Sequence, residues 1–418
     1  MEQSFFPNMS ELAKRFGTPL YLYDFSHITR QYSALKDEFA ARKSLIAYAL
    51  KANSNLSIVA HLARLGAGAD CVSLGEVKRA LLAGIAPYKI IFSGVGKQEY
   101  EIREALKIGI LFLNVESEAE LLCVEKVAHE LGICARISLR VNPDIDPKTH
   151  PYISTGLSEN KFGVSIDEAK RLYLYAHKSE HLEPVAIHFH IGSQILSLEP
   201  LAQSVEKIAA LLRSLLAIGL PLRFFDVGGG IGIAYKNEQT FALYDYAQMI
   251  LANLSGLDVT IICEPGRFLV GNSGFFVCSV LYEKTTQSKR FVIVDGAMND
   301  LVRPTLYQAY HDVAVWRGGG WLALGGGSVS DIVGPICESG DWLAKDVVLP
   351  PLQDDDLIVF KGAGAYGMAM ASNYNSRPRA AEAAFMHTGE VWQIRKRESM
   401  ENLWELELPF LGAQSERD

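Results

Sequence analysis

Short apolar segments alternate with longer amphipathic segments over residues 45–267. The short segments have the length of β-strands, and the longer ones carry apolar residues at the three- and four-residue spacing of a helix. Eight strand–helix units in one run predict a (β/α)8 barrel rather than an open doubly wound sheet. The predicted strands are 45–50, 69–73, 89–93, 111–115, 135–141, 185–190, 224–227 and 259–263; the predicted helices include 56–65, 75–83, 98–108, 118–131, 166–177, 198–218 and 244–254.

The pattern changes after Arg267 to strand-like segments separated by glycine and proline, with a helix expected only around Ala369. These segments are 275–282, 291–294, 313–315, 357–360 and 391–394. The apolar pattern of residues 20–23 predicts a further strand, which precedes the barrel and pairs with strands of the β domain. The predicted fold is therefore α/β plus all-β: an N-terminal strand segment (1–30) joins a TIM-like barrel (31–270) to a C-terminal β-sandwich or β-barrel domain (271–418).

The glycine-rich stretch 317–327 resembles a phosphate loop at first sight. No helix pattern follows it to supply an anion-binding N-terminus, so we expect turns around Trp321 instead. The sequence alone assigns no further role to this stretch, and it leaves the role of His188 undetermined as well.

Composition and charge exclude several classes of protein. The chain is 49% hydrophobic and 21% charged, which suits an ordinary folded core, and its net charge of -8 argues against nucleic acid as a partner. Charge or glycine interrupts every long apolar segment, so no membrane span is expected, and residues 1–7 do not resemble a signal peptide. A cytoplasmic location is the expectation.

The six cysteines show no CxxC pairing and no closely spaced histidine, so neither a metal site nor a disulfide framework is predicted. Cys71, Cys123, Cys134, Cys263 and Cys278 lie in apolar or strand-like segments, and we expect them to be buried as small hydrophobic residues.

Lys51 follows the first predicted barrel strand in the sequence YALKAN (48–53). In this fold the carboxyl ends of the strands face the active site, and a partly desolvated lysine there is a candidate Schiff-base nucleophile. A lysine at a strand end can also simply extend its charge into water.

Three further motifs end predicted barrel strands. HFHIGSQ (188–194) places His188 and His190 on one face of its strand, DVGGG (226–230) brings three glycines to the usual phosphate region, and EPGR (264–267) places Glu264 and Arg267 at the barrel mouth. Individually these read as a core histidine, a turn and a surface ion pair. Together with Lys51 they form the set that pyridoxal 5'-phosphate requires: an amine, a flat ring, a phosphate site that includes Ser193, and a carboxylate for the ring nitrogen.

With these motifs the chain resembles the pyridoxal-phosphate decarboxylases of the alanine-racemase-like fold, and within them the diaminopimelate decarboxylases. The matching motifs span nearly the whole chain in order and also include ADCVSLGE (69–76), NVES (114–117), RVNPD (140–144), NKFGV (160–164), VDGAMNDLVRPTLY (294–307), VGPICESGD (333–341) and GAGAYGMAMASNYNSRPR (362–379).

The resemblance implies a role for each matching residue. Cofactor contacts are implied for Lys51, Asp70, His190, Ser193, Gly228, Gly229, Gly230, Glu264, Gly266, Arg267 and Tyr366. Substrate contacts are implied for Arg267, Arg303, Tyr307, Glu338 and Tyr366. The implied catalytic residues are Lys51, His190, Glu264 and the proton donor Cys337. The resemblance also implies a homodimer in which one chain supplies the barrel and the other supplies Cys337 and Glu338.

The distal charges of the substrate separate the possible activities. Meso-diaminopimelate presents a carboxylate and an ammonium group at its distal end. Arg267 and Arg303 could pair with the carboxylate, and Glu338 could pair with the ammonium group. The leading hypothesis is therefore decarboxylation to L-lysine and CO2. The alternatives are a carboxynorspermidine or other polyamine-pathway decarboxylase of the same fold, and a non-catalytic protein that binds the cofactor.

Overall fold

The computed structural model describes residues 5–146, 161–323 and 326–411. It divides the chain into two compact units, Ile28–Leu269 and the pair of segments Met1–His27 and Val270–Asp418. Asn160 of the NKFGV motif and Gly325 of the glycine-rich stretch lie outside the described residues. The N-terminal segment thus belongs to the same unit as the C-terminal third of the chain.

The first elements are the helix α1 (Met9–Phe16), the strand β1 (Leu20–Asp24) and the helix α2 (Phe25–Glu38). Asn8 caps α1 by accepting the backbone N–H of Ser10 at 3.0 Å, and Gly17 ends the helix.

Eight parallel strands form a closed barrel in the unit Ile28–Leu269, and each strand pairs with its neighbours in chain order. The strands are β2 (Ser44–Ala49), β3 (Gly68–Cys71), β4 (Ile90–Phe92), β5 (Phe112–Val115), β6 (Ala135–Arg140), β7 (Leu182–His188), β8 (Phe224–Asp226) and β9 (Thr260–Cys263). The (β/α)8 prediction is confirmed, and the strands differ from the predicted ones only at their ends.

Amphipathic helices connect the barrel strands. They are α3 (Leu56–Leu65), α4 (Leu74–Leu82), α5 (Glu99–Ile108), α6 (Glu118–Leu131), α7 (Ile166–Lys178), α8 (Leu198–Ala217) and α9 (Leu243–Asn253). Ser73, Ser117 and Ser165 cap three of them by accepting a backbone N–H of the first turn, and Gly109 and Gly132 end two in the left-handed conformation. Among the described helices none is both long and apolar enough to span a bilayer.

The second unit is a mostly antiparallel sheet. After α10 (Arg267–Val270) it contains, in chain order, β10 (Gly274–Thr285), β11 (Arg290–Val294), α11 (Arg303–Tyr307), β12 (Val313–Arg317), β13 (Gly320–Leu322), β14 (Ser328–Val333), β15 (Trp342–Leu349), β16 (Leu357–Lys361), β17 (Ala381–Phe385) and β18 (Val391–Arg395). Along the main path the strand order is β13-β12-β16-β10-β1-β17-β18, with β11, β14 and β15 branching from β10.

The N-terminal strand β1 lies inside this sheet, antiparallel to β10 and parallel to β17. Its leucines, Leu20 and Leu22, pack into a buried apolar cluster with residues of β10, β16 and β17. Tyr21 and Tyr23 alternate with them, and their hydroxyls donate to Asp300 O at 2.7 Å and to Glu382 Oε1 at 2.8 Å. The strand is therefore anchored on both of its faces.

Several expectations for this unit need correction. Four strands, β13, β14, β15 and β17, were not predicted, and the helix expected around Ala369 is a single 3₁₀ turn, Met368–Met370. The glycine-rich stretch begins with the tight hairpin that joins β12 to β13. Gly318 and Gly319 form its two-residue turn with φ angles of 57° and 88°, which only glycine adopts readily.

The cysteine expectation is partly wrong. Cys71, Cys263 and Cys278 are buried, but Cys123 is half-buried and Cys134 is exposed. Cys134 lies in the loop between α6 and β6, outside the apolar strand that follows it, so its thiol faces solvent.

Candidate active site

Lys51 lies in a 3₁₀ turn, Leu50–Ala52, directly after β2. Its Nζ donates to Asp70 Oδ2 in β3 at 3.1 Å, and the lysine side chain is 38% exposed while that of Asp70 is fully buried. Burial, followed by the charge of Glu264, raises the pKa of the Asp70 carboxyl, and the Lys51 charge opposes this shift. The amine is thus oriented by a buried acid at the barrel mouth and remains accessible.

His190 lies two residues beyond the end of β7. The backbone N–H of Gly229 donates to its Nδ1 at 3.2 Å, and Arg140 Nη2 donates to its carbonyl oxygen at 3.3 Å. Burial, with the positive charges of Lys51 and Arg140, lowers the pKa of His190 well below its ordinary value. The imidazole is therefore a neutral flat ring whose Nδ1 acts as an acceptor.

The range Gly228–Gly230 brings the ends of three strands together. A Cβ at these three successive positions would lie 2.5, 2.2 and 2.5 Å from the carbonyl oxygens of Phe189, Glu264 and Gly192. Contacts that short between a Cβ and a backbone oxygen do not occur, so the backbones can converge only because all three residues are glycine.

Glu264 follows β9 and is buried beside two other polar side chains, His188 at the end of β7 and Asp226 at the end of β8. His188 Nε2 lies 3.3 Å from Glu264 Oε2. Burial alone would raise the pKa of the Glu264 carboxyl, but the neighbouring His188 and Lys51 hold it below its ordinary value. His188, whose role the sequence left undetermined, thus contacts the carboxylate at the barrel mouth.

Arg267 is buried in α10 and reaches two loops. Its Nη1 donates to the Tyr235 hydroxyl at 2.6 Å, and its Nη2 donates to Ser193 Oγ at 3.1 Å. At Gly266 a Cβ would lie 3.0 Å from the Cβ of Ala52, in the turn that carries Lys51. The EPGR segment is thereby packed against the lysine turn.

Arg303 begins α11 and is buried in the second unit. Its Nη1 lies 3.0 Å from His311 Nε2, and His311 Nδ1 lies 2.9 Å from the carbonyl oxygen of Lys361. Because a carbonyl can only accept, Nδ1 carries the proton and Nε2 accepts from Arg303. Tyr307, the last residue of α11, is half-buried.

Cys337 and Glu338 are exposed between β14 and β15. The backbone N–H of Cys337 donates to Asn375 Oδ1 at 3.1 Å, and the Tyr374 hydroxyl donates to Glu338 Oε2 at 2.8 Å. Tyr366, which follows β16, has a φ of 56°, a left-handed conformation that costs free energy in a non-glycine residue.

Comparison with known proteins assigns the chain to a family. The model for the pyridoxal binding domain of the pyridoxal-dependent decarboxylases matches residues 25–271. Diaminopimelate decarboxylase from Helicobacter pylori strain J99 is 57% identical over 97% of this chain and 99% of its own length. The enzyme of that name from Campylobacter jejuni is 56% identical over 96% of this chain and 99% of its own length. The chain belongs to the diaminopimelate decarboxylase family.

A solved structure of this family has the same fold. It is diaminopimelate decarboxylase from Helicobacter pylori complexed with L-lysine, which is 56% identical with a TM-score of 0.93 and covers 96% of this chain and 100% of that chain. The expected family resemblance is confirmed over both units of the chain.

The residues at the barrel mouth fit the pyridoxal phosphate that the family uses. Lys51 is accessible beside a buried acid, His190 is a neutral ring, and the glycine run excludes side chains. Glu264 Oε1 is buried and accepts no hydrogen bond from the part of the chain that the structure describes. A carboxylate oxygen in that state suits a protonated ring nitrogen as its partner.

The sequence did not reveal the residues that support this site. Glu116 follows β5 and accepts hydrogen bonds from Arg140 Nη1 at 3.2 Å, from Gly94 N at 3.1 Å and from Gly163 N at 3.2 Å, so it holds together the end of β6 and two loops. The signal in the sequence was weak: Glu116 lies in the motif NVES and Arg140 in the motif RVNPD, but their pairing depends on the closed barrel.

Proposed function

We propose that the chain catalyses the pyridoxal-phosphate-dependent decarboxylation of meso-2,6-diaminopimelate to L-lysine and CO2, the last step of lysine biosynthesis. The observation that carries the proposal is the convergence of an accessible Lys51, a neutral His190 and a buried, ionised Glu264 at the mouth of the barrel. Relatives that bear the diaminopimelate decarboxylase name at 56–57% identity over nearly the whole chain favour this substrate over a polyamine precursor.

The barrel residues would divide the work of holding the cofactor. Lys51 would attach it, His190 would stack on its ring, and Glu264 would keep a proton at the ring nitrogen. Gly228–Gly230 and Ser193 would hold its phosphate, and the family resemblance implies cofactor contacts for Gly266, Arg267 and Tyr366 as well. When bound, pyridoxal phosphate supplies an electron sink for the pair of electrons left on the substrate after CO2 departs.

The substrate-binding residues explain selectivity. Arg303, oriented by His311, and Arg267 pair with the distal carboxylate, while Glu338 pairs with the distal ammonium and Tyr307 and Tyr366 line the substrate. Such charge pairs are strongest where the groups are already fixed, as the buried Arg303 is.

We further propose a cytoplasmic homodimer whose active sites are shared. Cys337 would donate the proton that replaces CO2, and Glu338 would reach the substrate, both from the second chain. The exposure of Cys337 and Glu338 supports this arrangement, because residues that serve another chain must be accessible on their own.

The activity is tested by incubating the purified protein and pyridoxal phosphate with meso-diaminopimelate, carboxynorspermidine, ornithine or arginine while CO2 is followed. We expect release from meso-diaminopimelate with equimolar L-lysine, and none from Lys51→Ala. Preferential release from carboxynorspermidine would refute the substrate assignment, and no release from any of them would refute the enzymatic one.

The shared site is tested by mixing inactive Lys51→Ala and Cys337→Ala proteins under conditions that permit subunit exchange. About half of random pairs are heterodimers with one intact site. Activity should therefore return in part. An inactive mixture, despite demonstrated exchange of labelled subunits, would mean that each site lies within one chain.

A further inference from the structure

Three polar side chains are buried together where adjacent barrel strands end. His188 and Asp226 are register partners on β7 and β8, and Glu264 directly follows β9. Their exposures are 1%, 0% and 5%, and one nitrogen or oxygen atom from each lies within 4.8 Å of the others. Two carboxyl groups are thus buried side by side with one imidazole, an arrangement in which the position of each proton matters.

The hydrogen-bond partners of the two carboxyl groups are incomplete. Asp226 Oδ1 accepts the backbone N–H of Gly228 at 2.9 Å. Asp226 Oδ2 and Glu264 Oε1 are both buried and meet no donor from any residue that the structure describes. Two ionised carboxylates cannot satisfy each other, because neither has a hydrogen to donate. A single proton on Asp226 gives Oδ2 a hydroxyl donor and removes one buried negative charge.

The acid–base balance favours placing that proton on Asp226. Burial, and then the negative charge of Glu264, raise the pKa of Asp226 well above its ordinary value. The pKa of Glu264 is lowered because the neighbouring charges of His188 and Lys51 oppose the effect of its burial. A raised pKa favours the protonated form of Asp226, and a lowered pKa favours the ionised form of Glu264.

We propose that Asp226 is a positioning residue that remains protonated and donates its hydroxyl hydrogen to Glu264, so that the negative charge of the pair resides on Glu264. The inference rests on the proposed function, since the charge of Glu264 matters there for the ring nitrogen of the cofactor. A carboxylate has about four acceptor sites, so Glu264 can accept from Asp226 and still accept from that nitrogen.

The test uses two replacements of Asp226 in the full-length protein. Asp226→Asn reproduces the protonated acid, because its amide oxygen can accept from Gly228 and its amide nitrogen can donate to Glu264. Asp226→Ala removes both groups. We expect the Asn variant to bind pyridoxal phosphate almost as the parent does, and the Ala variant to bind it on the order of ten- to a hundredfold more weakly. Equal loss in both variants would show that the aspartate charge itself is needed and would overturn the proposal, as would no loss in either.

A second measurement detects the proton directly and compares the parent only with the conservative Asp226→Asn variant. Infrared spectra of the cofactor-loaded protein, with carbon-13-labelled aspartate, should contain the carbonyl stretch of a protonated carboxylic acid at neutral pH, and Asp226→Asn should lack it. Asp70 and Asp300 also have raised pKa values, so the Asn variant is what assigns the band. A spectrum unchanged by Asp226→Asn, or one stoichiometric metal ion bound in place of the proton, would refute the proposal. A protein with the expected band and affinities that released no CO2 from meso-diaminopimelate would refute the proposed function instead.

Discussion

Replacement of His311 tests how the substrate carboxylate is recognised. His311 Nε2 accepts a hydrogen bond from Arg303 Nη1 at 3.0 Å, and His311 Nδ1–H donates to the carbonyl oxygen of Lys361 at 2.9 Å. Phenylalanine fills the ring volume but removes both bonds, whereas glutamine can still offer an acceptor to Arg303. A hydrogen bond to a charged group contributes about 1.5–3 kcal/mol, which corresponds to roughly a ten- to hundredfold change in an equilibrium constant.

We therefore expect His311→Phe to raise KM for meso-diaminopimelate by roughly ten- to a hundredfold, with a smaller effect on kcat, if the bond mainly orients Arg303 for ground-state binding. His311→Gln should stay near the parent, and thermal unfolding would report any general loss of stability. Steady-state lysine production gives both constants. An unchanged KM in a folded His311→Phe protein, alongside a raised KM in Arg303→Lys, would refute the orienting role.

Three further predictions concern the cofactor lysine, the glycine run and a buried acid. Borohydride reduction of the cofactor-loaded protein should label Lys51 and leave Lys51→Ala without a lysine adduct; a labelled peptide containing another lysine would contradict the assignment. Gly229→Ala, whose Cβ would lie 2.2 Å from Glu264 O, should lower unfolding free energy by about 1–3 kcal/mol and weaken cofactor binding. Gly96→Ala, where a Cβ meets nothing within 4 Å, is the control and should do neither. Burial raises the pKa of Asp300 from 3.8 to about 7, so its contribution to stability falls as pH rises through that interval. The free energy of unfolding of Asp300→Asn minus that of the parent should therefore be roughly 2–3 kcal/mol larger at pH 8 than at pH 5, measured by denaturant unfolding. Equal differences at both pH values would contradict this prediction.

The barrel could be predicted from the sequence because its signals are local. Each parallel strand is buried on both faces and reads as a short apolar segment, and each helix shows one apolar face. The second unit lacks such regularity. The strand β17 has the sequence AEAAF, whose alanines favour helix as much as strand, and β15 contains Asp346 at a φ of 54°, which interrupts the alternation of its side chains.

The candidate site was predictable to the extent that its residues end barrel strands. Lys51, His190 and Glu264 could be selected because the fold prediction places strand ends at one mouth. The proximity of Asp226 to Glu264 and of His311 to Arg303 could not, since each depends on side-chain positions set by packing between strands or loops. A histidine or aspartate in a buried strand shows only that a partner must exist, not which residue it is.

The position of β1 has a consequence for the order in which the chain folds. Leu20 pairs with Val277 and with Ala381, so the strand made first waits for partners that emerge after the whole barrel has been synthesised. The contiguous barrel segment can form as soon as it leaves the ribosome, but the second sheet cannot close until the last strands appear. During that interval β1 is an unpaired, apolar edge. Translation that stops within the last strands should therefore yield an aggregation-prone product even though the barrel is intact, and any scheme to split this protein must keep the first 27 residues with the C-terminal segment.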